Sequence, residues 1–400
     1  MRKFKLKNGL TVIHEPRKSD AVAIEISIGT GSNNESKSIA GISHFLEHMI
    51  FEGSKTRTAK QISETIENVG GDMNAATSNE RTFFYMKLPK NKAMLGFEII
   101  SDMVKNPAFH HKIFDKEKRV ILEEIKMTTD QPLHYQWILF ESSLFKRHPT
   151  KNPVYGTMAS VKGITRAKMQ TYHKRWYVPN NMILSVVGDV KDLNSISKRF
   201  FGDMKQNKIT AVKRPKEPKD KKPTIKRQKR DINQAYTLLG HKTVHRTHKD
   251  SPVLDVISAV FSKGLSGRIN EEIRVKRGLA YSVGTYHESK KDYGFFVFYL
   301  NCDKKNLALS KRIILDEIKK LDNLGNKELA AAKESIIGNK LISKEDSQKM
   351  ADSLAAWEFI KDAKLADKYL KDIRKVKKAD IIRARNKYLD KNHTMIVISK

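Results

Sequence analysis

The sequence predicts an α+β protein of two homologous domains, each a mostly antiparallel β-sheet backed by α-helices. The segments Arg81–Leu88 and Tyr293–Tyr299, rich in aromatic and β-branched residues, predict a strand in each half. Long stretches with helical periodicity separate such strands, which is typical of sheets covered by helices. A chain of 400 residues suggests two or three domains.

A weak internal repeat supports the division into two halves. Residues 177–188 (YVPNNMILSVVG) are similar to residues 388–399 (YLDKNHTMIVIS), since both have a helix end, a polar turn and a β-branched strand. The long period indicates duplication of a domain of roughly 200 residues. Residues 213–230, rich in Lys, Arg and Pro, predict an exposed linker. We therefore predict domains at 1–208 and 232–400, with the linker at 209–231.

The first half places a helix after a strand and a turn. Ala21–Ile28 is predicted as the strand, and the following residues 29–34 (GTGSNN) as the turn. Gly53 marks the end of the helix. The apolar flank that anchors this helix consists of Phe45, Leu46, Met49 and Ile50. We therefore expect the polar stripe on the opposite side of this helix to be held rigidly.

That stripe carries His44, Glu47 and His48 at helical spacing. Two neutral imidazoles can hold a zinc ion, and a carboxylate beside the metal can take a proton from bound water. The order His-x-x-Glu-His is the inverse of the commoner zinc-helix motif. The pattern indicates a hydrolytic zinc site, and the alternative is an amphipathic helix with solvated histidines.

Such a zinc site needs a third protein ligand, usually a Glu. Residues 115–125 offer one, because Asp115 is a plausible helix N-cap and the apolar residues at 120, 121, 122 and 125 form a core-facing stripe. Glu117 and Glu124 are seven positions apart, so both project from one side of this helix. On composition alone, each is an ordinary solvated residue.

Together these motifs resemble the pitrilysin/insulinase family of zinc peptidases, which includes the mitochondrial processing peptidase. Glu124, 76 positions after His48, matches the family's third ligand, and Glu117 matches its supporting carboxylate. The similarity extends to residues 6–12, 70–71, 74–75, 177–182 and 188–189. It implies one Zn²⁺ per chain, held by His44, His48 and Glu124, with Glu47 as general base for cleavage of extended peptides.

The resemblance also implies two substrate contacts. Arg274 and Tyr281 match a pair that holds a substrate backbone oxygen near the metal, as oxyanion stabilisation requires. Residues 74–78, including Asn74 and Ala75, match a strand edge that pairs with extended substrate. On the residues alone, a surface Arg and a core Tyr are the favoured interpretation of this pair, and an interior strand fits residues 74–78 as well as an edge does.

For assembly, the resemblance implies a dimer that encloses a chamber, with the Arg/Tyr pair near the partner's zinc. Because this chain carries both the ligands and the pair, a homodimer is the simplest expectation, with a heterodimer of related subunits as the alternative. A non-catalytic peptide-binding or scaffold subunit on the same fold is the competing function. Such subunits typically lack the His and Glu ligands.

The formal net charge of +32 is not required by a peptidase. It favours acidic partners such as nucleic acid, anionic membrane surfaces or acidic peptides. The basic residues are spread through both halves without interleaved aromatics or a nucleic-acid motif, so no specific nucleic-acid binding is expected. A basic nucleic-acid-binding protein with an accidental metal motif is the lesser alternative.

No apolar run follows the first three residues, and no stretch approaches ~20 apolar residues. We therefore expect no signal peptide, no membrane span and a cytoplasmic location. Cys302 is the only cysteine, which excludes an intrachain disulfide and a multi-cysteine zinc site. We expect it to be a small buried hydrophobe beside the strand at 295–300.

Overall fold

The computed structural model describes residues 1–210, 212, 214–389 and 392–400. They form two compact units. The first comprises Met1–Met127, Asn152–Lys213 and Ser343–Lys364, and the second Thr128–Lys151, Arg214–Ile342 and Leu365–Lys400. Each unit has one sheet covered by helices, which confirms the predicted α+β class.

The two units do not correspond to the N-terminal and C-terminal halves of the chain. Residues 128–151 belong with the second unit, and residues 343–364 belong with the first. Within the predicted linker at 209–231, Thr224–Lys229 is a strand. Positions 211 and 213 of that linker, and positions 390 and 391 of the predicted repeat, lie outside the described residues.

The first sheet has six strands. They are β1 (Arg2–Lys5), β2 (Thr11–Glu15), β3 (Ala21–Ile28), β4 (Asp72–Thr77), β5 (Thr82–Pro89) and β6 (Met182–Val187). Their order is β1-β2-β6-β3-β5-β4, and all neighbours are antiparallel except β2 and β6. The predicted strand at 21–28 is confirmed, and β5 is displaced by one residue from its predicted bounds.

The helices up to the end of the N-terminal half are α1 (Ile42–Phe51), α2 (Ala59–Glu67), α3 (Ala93–Lys105), α4 (His111–Asp130), α5 (Pro132–Leu144), α6 (Met158–Lys162), α7 (Arg166–Trp176) and α8 (Leu193–Phe201). Asp115 as the N-cap of α4 was wrong. The helix begins at His111 because Phe114 already belongs to its core-facing stripe, and Asp115 pairs with the His111 imidazole at 3.2 Å.

The helices of the C-terminal half are α9 (Ser251–Ser262), α10 (Leu307–Lys319), α11 (Asn326–Glu345), α12 (Ser347–Ile360), α13 (Leu365–Lys375) and α14 (Lys378–Tyr388). Of these, α12 packs on the first sheet, where Ala351 and Leu354 meet Ala23 and Val187. The opposite face of that sheet packs on α1, α3 and α7 in the main core. Both faces of β3 are therefore buried, which explains its almost wholly apolar sequence.

The second sheet has five strands: β7 (Thr224–Lys229), β8 (Gln234–Lys242), β9 (Ala280–Ser289), β10 (Gly294–Asp303) and β11 (Thr394–Ser399). Their order is β7-β11-β8-β10-β9, and only β7 and β11 are parallel. One face packs on α9 and α14, and the other on α5. Cys302 is buried in the first of these cores, as predicted. Among the described residues, no helix has the length and apolar character needed to cross a bilayer.

Candidate metal centre

The start of α1 is held by a carboxylate from the preceding loop. Gly41 is the N-cap with φ of 92°, and the Glu35 carboxylate accepts the backbone N–H of Gly41 at 2.6 Å and of Ser43 at 2.8 Å. These are N–H groups that a helix cannot satisfy internally. Burial raises the pKa of Glu35 to about 7, although both hydrogen bonds oppose this effect. Sequence reasoning missed Glu35, because its contact depends on how the loop folds back.

The apolar face of α1 fixes the direction of its polar stripe. Phe45, Leu46, Met49 and Ile50 are buried in the core. The ring of Phe45 stacks on Phe114 of α4 with centroids 4.7 Å apart. This contact holds α4 beside α1, so carboxylates of one helix face imidazoles of the other.

The structure brings the three predicted metal ligands together. Nε2 of His44 lies 3.8 Å from Oε2 of Glu124, and Nε2 of His48 lies 3.9 Å from the same oxygen. One potential ligand atom from each residue lies within 4.8 Å of the others. These separations exceed hydrogen-bonding distance but suit donors around one ion with bonds of about 2 Å. Two imidazole nitrogens and a carboxylate oxygen fit zinc.

The charge state of His44 suits metal binding. Burial, with a smaller contribution from His48, lowers the pKa of His44 to about 3. The imidazole is therefore neutral near pH 7, which is the form that coordinates metal ions.

Glu117 lies behind one of the ligands. Its Oε2 is 3.3 Å from Nδ1 of His48, and its side chain is almost fully buried. An Nδ1–H donated to this carboxylate leaves Nε2 of His48 as the metal-binding nitrogen. The structure thus places Glu117 against a ligand, as the predicted supporting role requires; the role itself stays a prediction.

Glu47 is held by a residue that sequence reasoning missed. The hydroxyl of Thr77, the last residue of β4, donates a hydrogen bond to Oε2 of Glu47. Burial raises the pKa of Glu47, and the bond from Thr77 opposes this shift. Residues 74–78 were singled out for backbone pairing, and nothing in the sequence pointed to this hydroxyl.

Asn74 and Ala75 lie in the middle of β4, which is an edge strand. Among the described strands, β4 pairs only with β5. The N–H of Ala75 donates to the side-chain oxygen of Asn74 at 2.8 Å. The interior-strand alternative is therefore wrong, while substrate binding by Asn74 and Ala75 stays a prediction.

Arg274 and Tyr281 lie in the second unit, and each lies within an irregularity of the backbone. Arg274 is in a π-helical turn (Asn270–Val275). Ser282 pairs with Asn301 and Ala280 with Cys302, so Tyr281 is the extra residue of a β-bulge in the described ladder. The bulge turns its side chain outward, and Tyr281 is 79% exposed.

The two side chains lie together. The guanidinium carbon of Arg274 is 4.9 Å from the centroid of the Tyr281 ring, a cation–π contact. π-turns and bulges are frequent at functional sites because each re-aims side chains. This placement suits the predicted pair of donors, whose binding of substrate stays a prediction.

The two-sheet fold and the inverted motif with its distant Glu define a class of zinc-peptidase-like proteins. Residues 11–158 match the family described as Insulinase (Peptidase family M16), and residues 163–336 match its Peptidase M16 inactive domain. The chain belongs to this peptidase family, as its resemblance to known members predicted.

Relatives cover most of the chain. A protein of Bacillus subtilis (strain 168) named an uncharacterized zinc protease is 31% identical, over 87% of this chain and 85% of that protein. One from Rickettsia felis with the same description is 30% identical, over 98% and 96%. Their names support zinc as the metal.

Solved structures share the fold. A protease from Helicobacter pylori has a TM-score of 0.94 at 25% identity, with 100% of this chain and 99% of that chain covered. A peptidase M16 inactive domain from Pseudomonas fluorescens has a TM-score of 0.89 at 18% identity, with 100% and 97% covered.

Proposed function

We propose that the protein is a zinc-dependent endopeptidase that hydrolyses extended or unstructured peptides. The observation that carries this proposal is the convergence of His44, His48 and Glu124 around one point, with Glu47 on the same helix face. The relatives named zinc proteases support it.

In the proposed mechanism, one Zn²⁺ held by His44, His48 and Glu124 supplies Lewis acidity for peptide hydrolysis. Glu47 accepts a proton from the attacking water and later passes it to the leaving amine. Burial raises the pKa of Glu47, which makes its carboxylate a stronger base than an exposed one and suits general-base catalysis. The Thr77 hydroxyl donates a hydrogen bond to Oε2 of Glu47 and so orients the carboxylate.

Substrate binding is proposed to use main-chain hydrogen bonds. The open edge of β4, at Asn74 and Ala75, can add an extended peptide as a further strand, which places little demand on substrate side chains. Arg274 and Tyr281 would donate hydrogen bonds to a substrate backbone oxygen. We propose a homodimer enclosing a chamber as the working assembly.

The test is mass spectrometry of a pool of unstructured peptides after incubation with zinc-loaded protein. Wild type is expected to cleave, and Glu47→Gln is expected to retain zinc without cleaving. Cleavage by the Glu47→Gln variant at the wild-type rate would contradict the proposed general base.

A second candidate is a non-catalytic peptide-binding subunit, since residues 163–336 match a domain described as inactive. The complete set of metal donors argues against it. Peptide binding by zinc-loaded wild type without any cleavage would favour this candidate over the peptidase.

A further inference from the structure

The segment of residues 214–230, which we call the β7 basic segment, is not explained by peptide hydrolysis. It contains nine Lys or Arg residues and two acids. Its strand β7 forms the edge of the second sheet and pairs only with β11 among the described strands. Five of the six residues of β7 are exposed. An open strand edge of this kind presents unpaired backbone groups that can accept another strand.

Both acids of the β7 basic segment are already engaged within the second unit. Glu217 accepts the backbone N–H of Arg147 at 2.8 Å and of His148 at 2.9 Å. Nζ of Lys242 lies 3.1 Å from Glu217 and 3.0 Å from Asp220. The segment therefore keeps no free carboxylate to neutralise its outer cations.

The cations on and just before β7 remain available. Five of them are exposed and make no side-chain ion pair with any described residue: Lys221, Lys222, Lys226, Arg227 and Lys229. In contrast, Arg230 donates to the backbone oxygen of Thr129 at 2.6 Å. Side chains alternate along a strand, so Lys226 lies on one face of the sheet and Arg227 and Lys229 on the other.

We propose that the open edge of β7 binds an acidic, extended peptide segment as an added strand. Cations on an edge strand repel a second basic strand, and so protect the edge from pairing with copies of itself. An acidic strand would instead be attracted by the cations on both faces of β7. Hydrogen bonds between the two backbones would align it along the strand edge.

A nucleic acid fits the β7 basic segment less well. Binding of single strands relies on stacking of bases on aromatic side chains, and residues 214–230 contain no aromatic residue. A phosphodiester strand also cannot form the hydrogen-bond ladder that an open strand edge offers. The proposed surface is separate from the zinc chemistry and does not depend on it.

The test is fluorescence anisotropy with full-length, zinc-loaded Glu47→Gln protein, which should leave the probe intact. The probe is a labelled ten-residue peptide in which pairs of Glu alternate with pairs of Val, so that both faces of the added strand carry carboxylates. The variant Lys226→Glu/Arg227→Glu/Lys229→Glu is compared with Lys305→Glu/Lys327→Glu/Lys371→Glu, which changes net charge equally at exposed residues of the same unit. We expect affinity to fall about tenfold or more in the β7 variant and less than about twofold in the control. Circular dichroism confirms that both variants fold.

Two further probes separate strand addition from simple charge attraction. A fully N-methylated version of the peptide keeps its charge but has no backbone donors, and it is expected to bind at least about fivefold more weakly. Equal binding of this probe, equal losses in both triple variants, or tighter binding of a ten-nucleotide oligothymidylate would each overturn the proposal. Each readout is binding alone, so a failure of the proposed peptidase activity would leave these results unaffected.

Discussion

A single hydroxyl group determines how the Glu47 carboxylate is oriented. Thr77 ends β4, and the strand brings its hydroxyl to the carboxylate of Glu47. A carboxylate that rotates freely about its terminal bond would present either oxygen to the reacting water. A carboxylate that accepts a hydrogen bond from the Thr77 hydroxyl is instead held in one orientation. Catalysis is therefore expected to depend on a residue outside the metal-binding motif.

Thr77→Val is expected to lower kcat for peptide hydrolysis by about 10–100-fold, because it removes one hydrogen bond to a charged group while preserving side-chain shape. Thr77→Ser keeps the hydroxyl and should retain most of the activity. Steady-state kinetics on a cleaved peptide measure both, with KM little changed. A Val variant with wild-type kcat and normal zinc content would contradict the positioning role.

The carboxylates of α4 are expected to differ in their effect on zinc affinity. Glu124→Gln replaces an anionic carboxylate ligand by a neutral amide and should weaken zinc binding most, whereas Glu117→Gln loosens His48 and should weaken it by roughly 10–100-fold. The matched control is Glu123→Gln, because Glu123 is exposed and pairs with Lys126 at 2.7 Å. Titration against a competing chelator measures all three. A loss in the Glu123 variant equal to that in the Glu124 variant would argue against the assigned ligand.

The position of helix α1 depends on the turn that begins it. Gly41 has φ of 92°, and a Cβ there would lie 2.5 Å from the backbone oxygen of Tyr155. Gly41→Ala is therefore expected to lower the free energy of unfolding by about 2 kcal/mol or more and to weaken zinc binding.

The control for this prediction is Gly338→Ala within α11, where an added Cβ meets nothing within 4 Å. That substitution should stabilise the protein by about 0.5–1 kcal/mol, since Ala favours helix interiors. Chemical denaturation measures both variants. Similar destabilisation in the two would show that the turn at Gly41 carries no special strain.

Elements formed by local pattern were predictable from the sequence, and those set by distant contacts were not. Ala21–Ile28 and the helix of His44 and His48 follow directly from apolar periodicity. The bulge at Tyr281 is determined by register with β10, and the edge position of β4 by sheet order. Neither leaves a signal in its own segment. The family resemblance supplied both the strand edge at residues 74–78 and the predicted ligand Glu124, which spacing alone could not distinguish from a surface residue.

The stability of the whole protein is expected to depend on pH through one carboxylate, that of Glu141 in α5. Burial, reinforced by the charge of Glu288 and opposed by Lys290, raises the pKa of Glu141 to about 8. The folded chain therefore holds this proton between about pH 4.5 and 8, where the unfolded chain has released it. The contribution of Glu141 is fully present below about pH 4.5 and is lost as pH rises through 8.

Glu141→Gln should consequently flatten the fall in unfolding free energy across this window by on the order of 1 kcal/mol or more. Urea denaturation at several pH values measures the slope. An unchanged slope in the variant would show that Glu141 is ionised in the folded protein throughout.

A partly buried ionic contact joins residues 343–364 to the rest of the first unit. The guanidinium of Arg81 pairs with Asp352 of α12, 271 positions away in sequence, and lies 3.4 Å from Glu25, which is fully buried in β3. Hydrophobic periodicity could not reveal this connection, because α12 has the apolar pattern of an ordinary helix of the second half. We expect these charges to help determine where α12 packs on the sheet.

Burial and the charge of Asp352 raise the pKa of Glu25 to about 8, and the Arg81 guanidinium opposes this rise. At about pH 9, where Glu25 is ionised, Arg81→Met is therefore expected to destabilise the protein by about 3–5 kcal/mol, because the Glu25 carboxylate is then buried without a countercharge. The double variant Arg81→Met/Glu25→Gln removes that charge and should recover part of the loss, although Asp352 loses its partner in both. Chemical denaturation of the two variants and of Glu25→Gln alone gives the coupling free energy. If the double variant were no more stable than Arg81→Met, the uncompensated charge of Glu25 would not be the cause, and α12 would owe its position to its apolar contacts with the sheet.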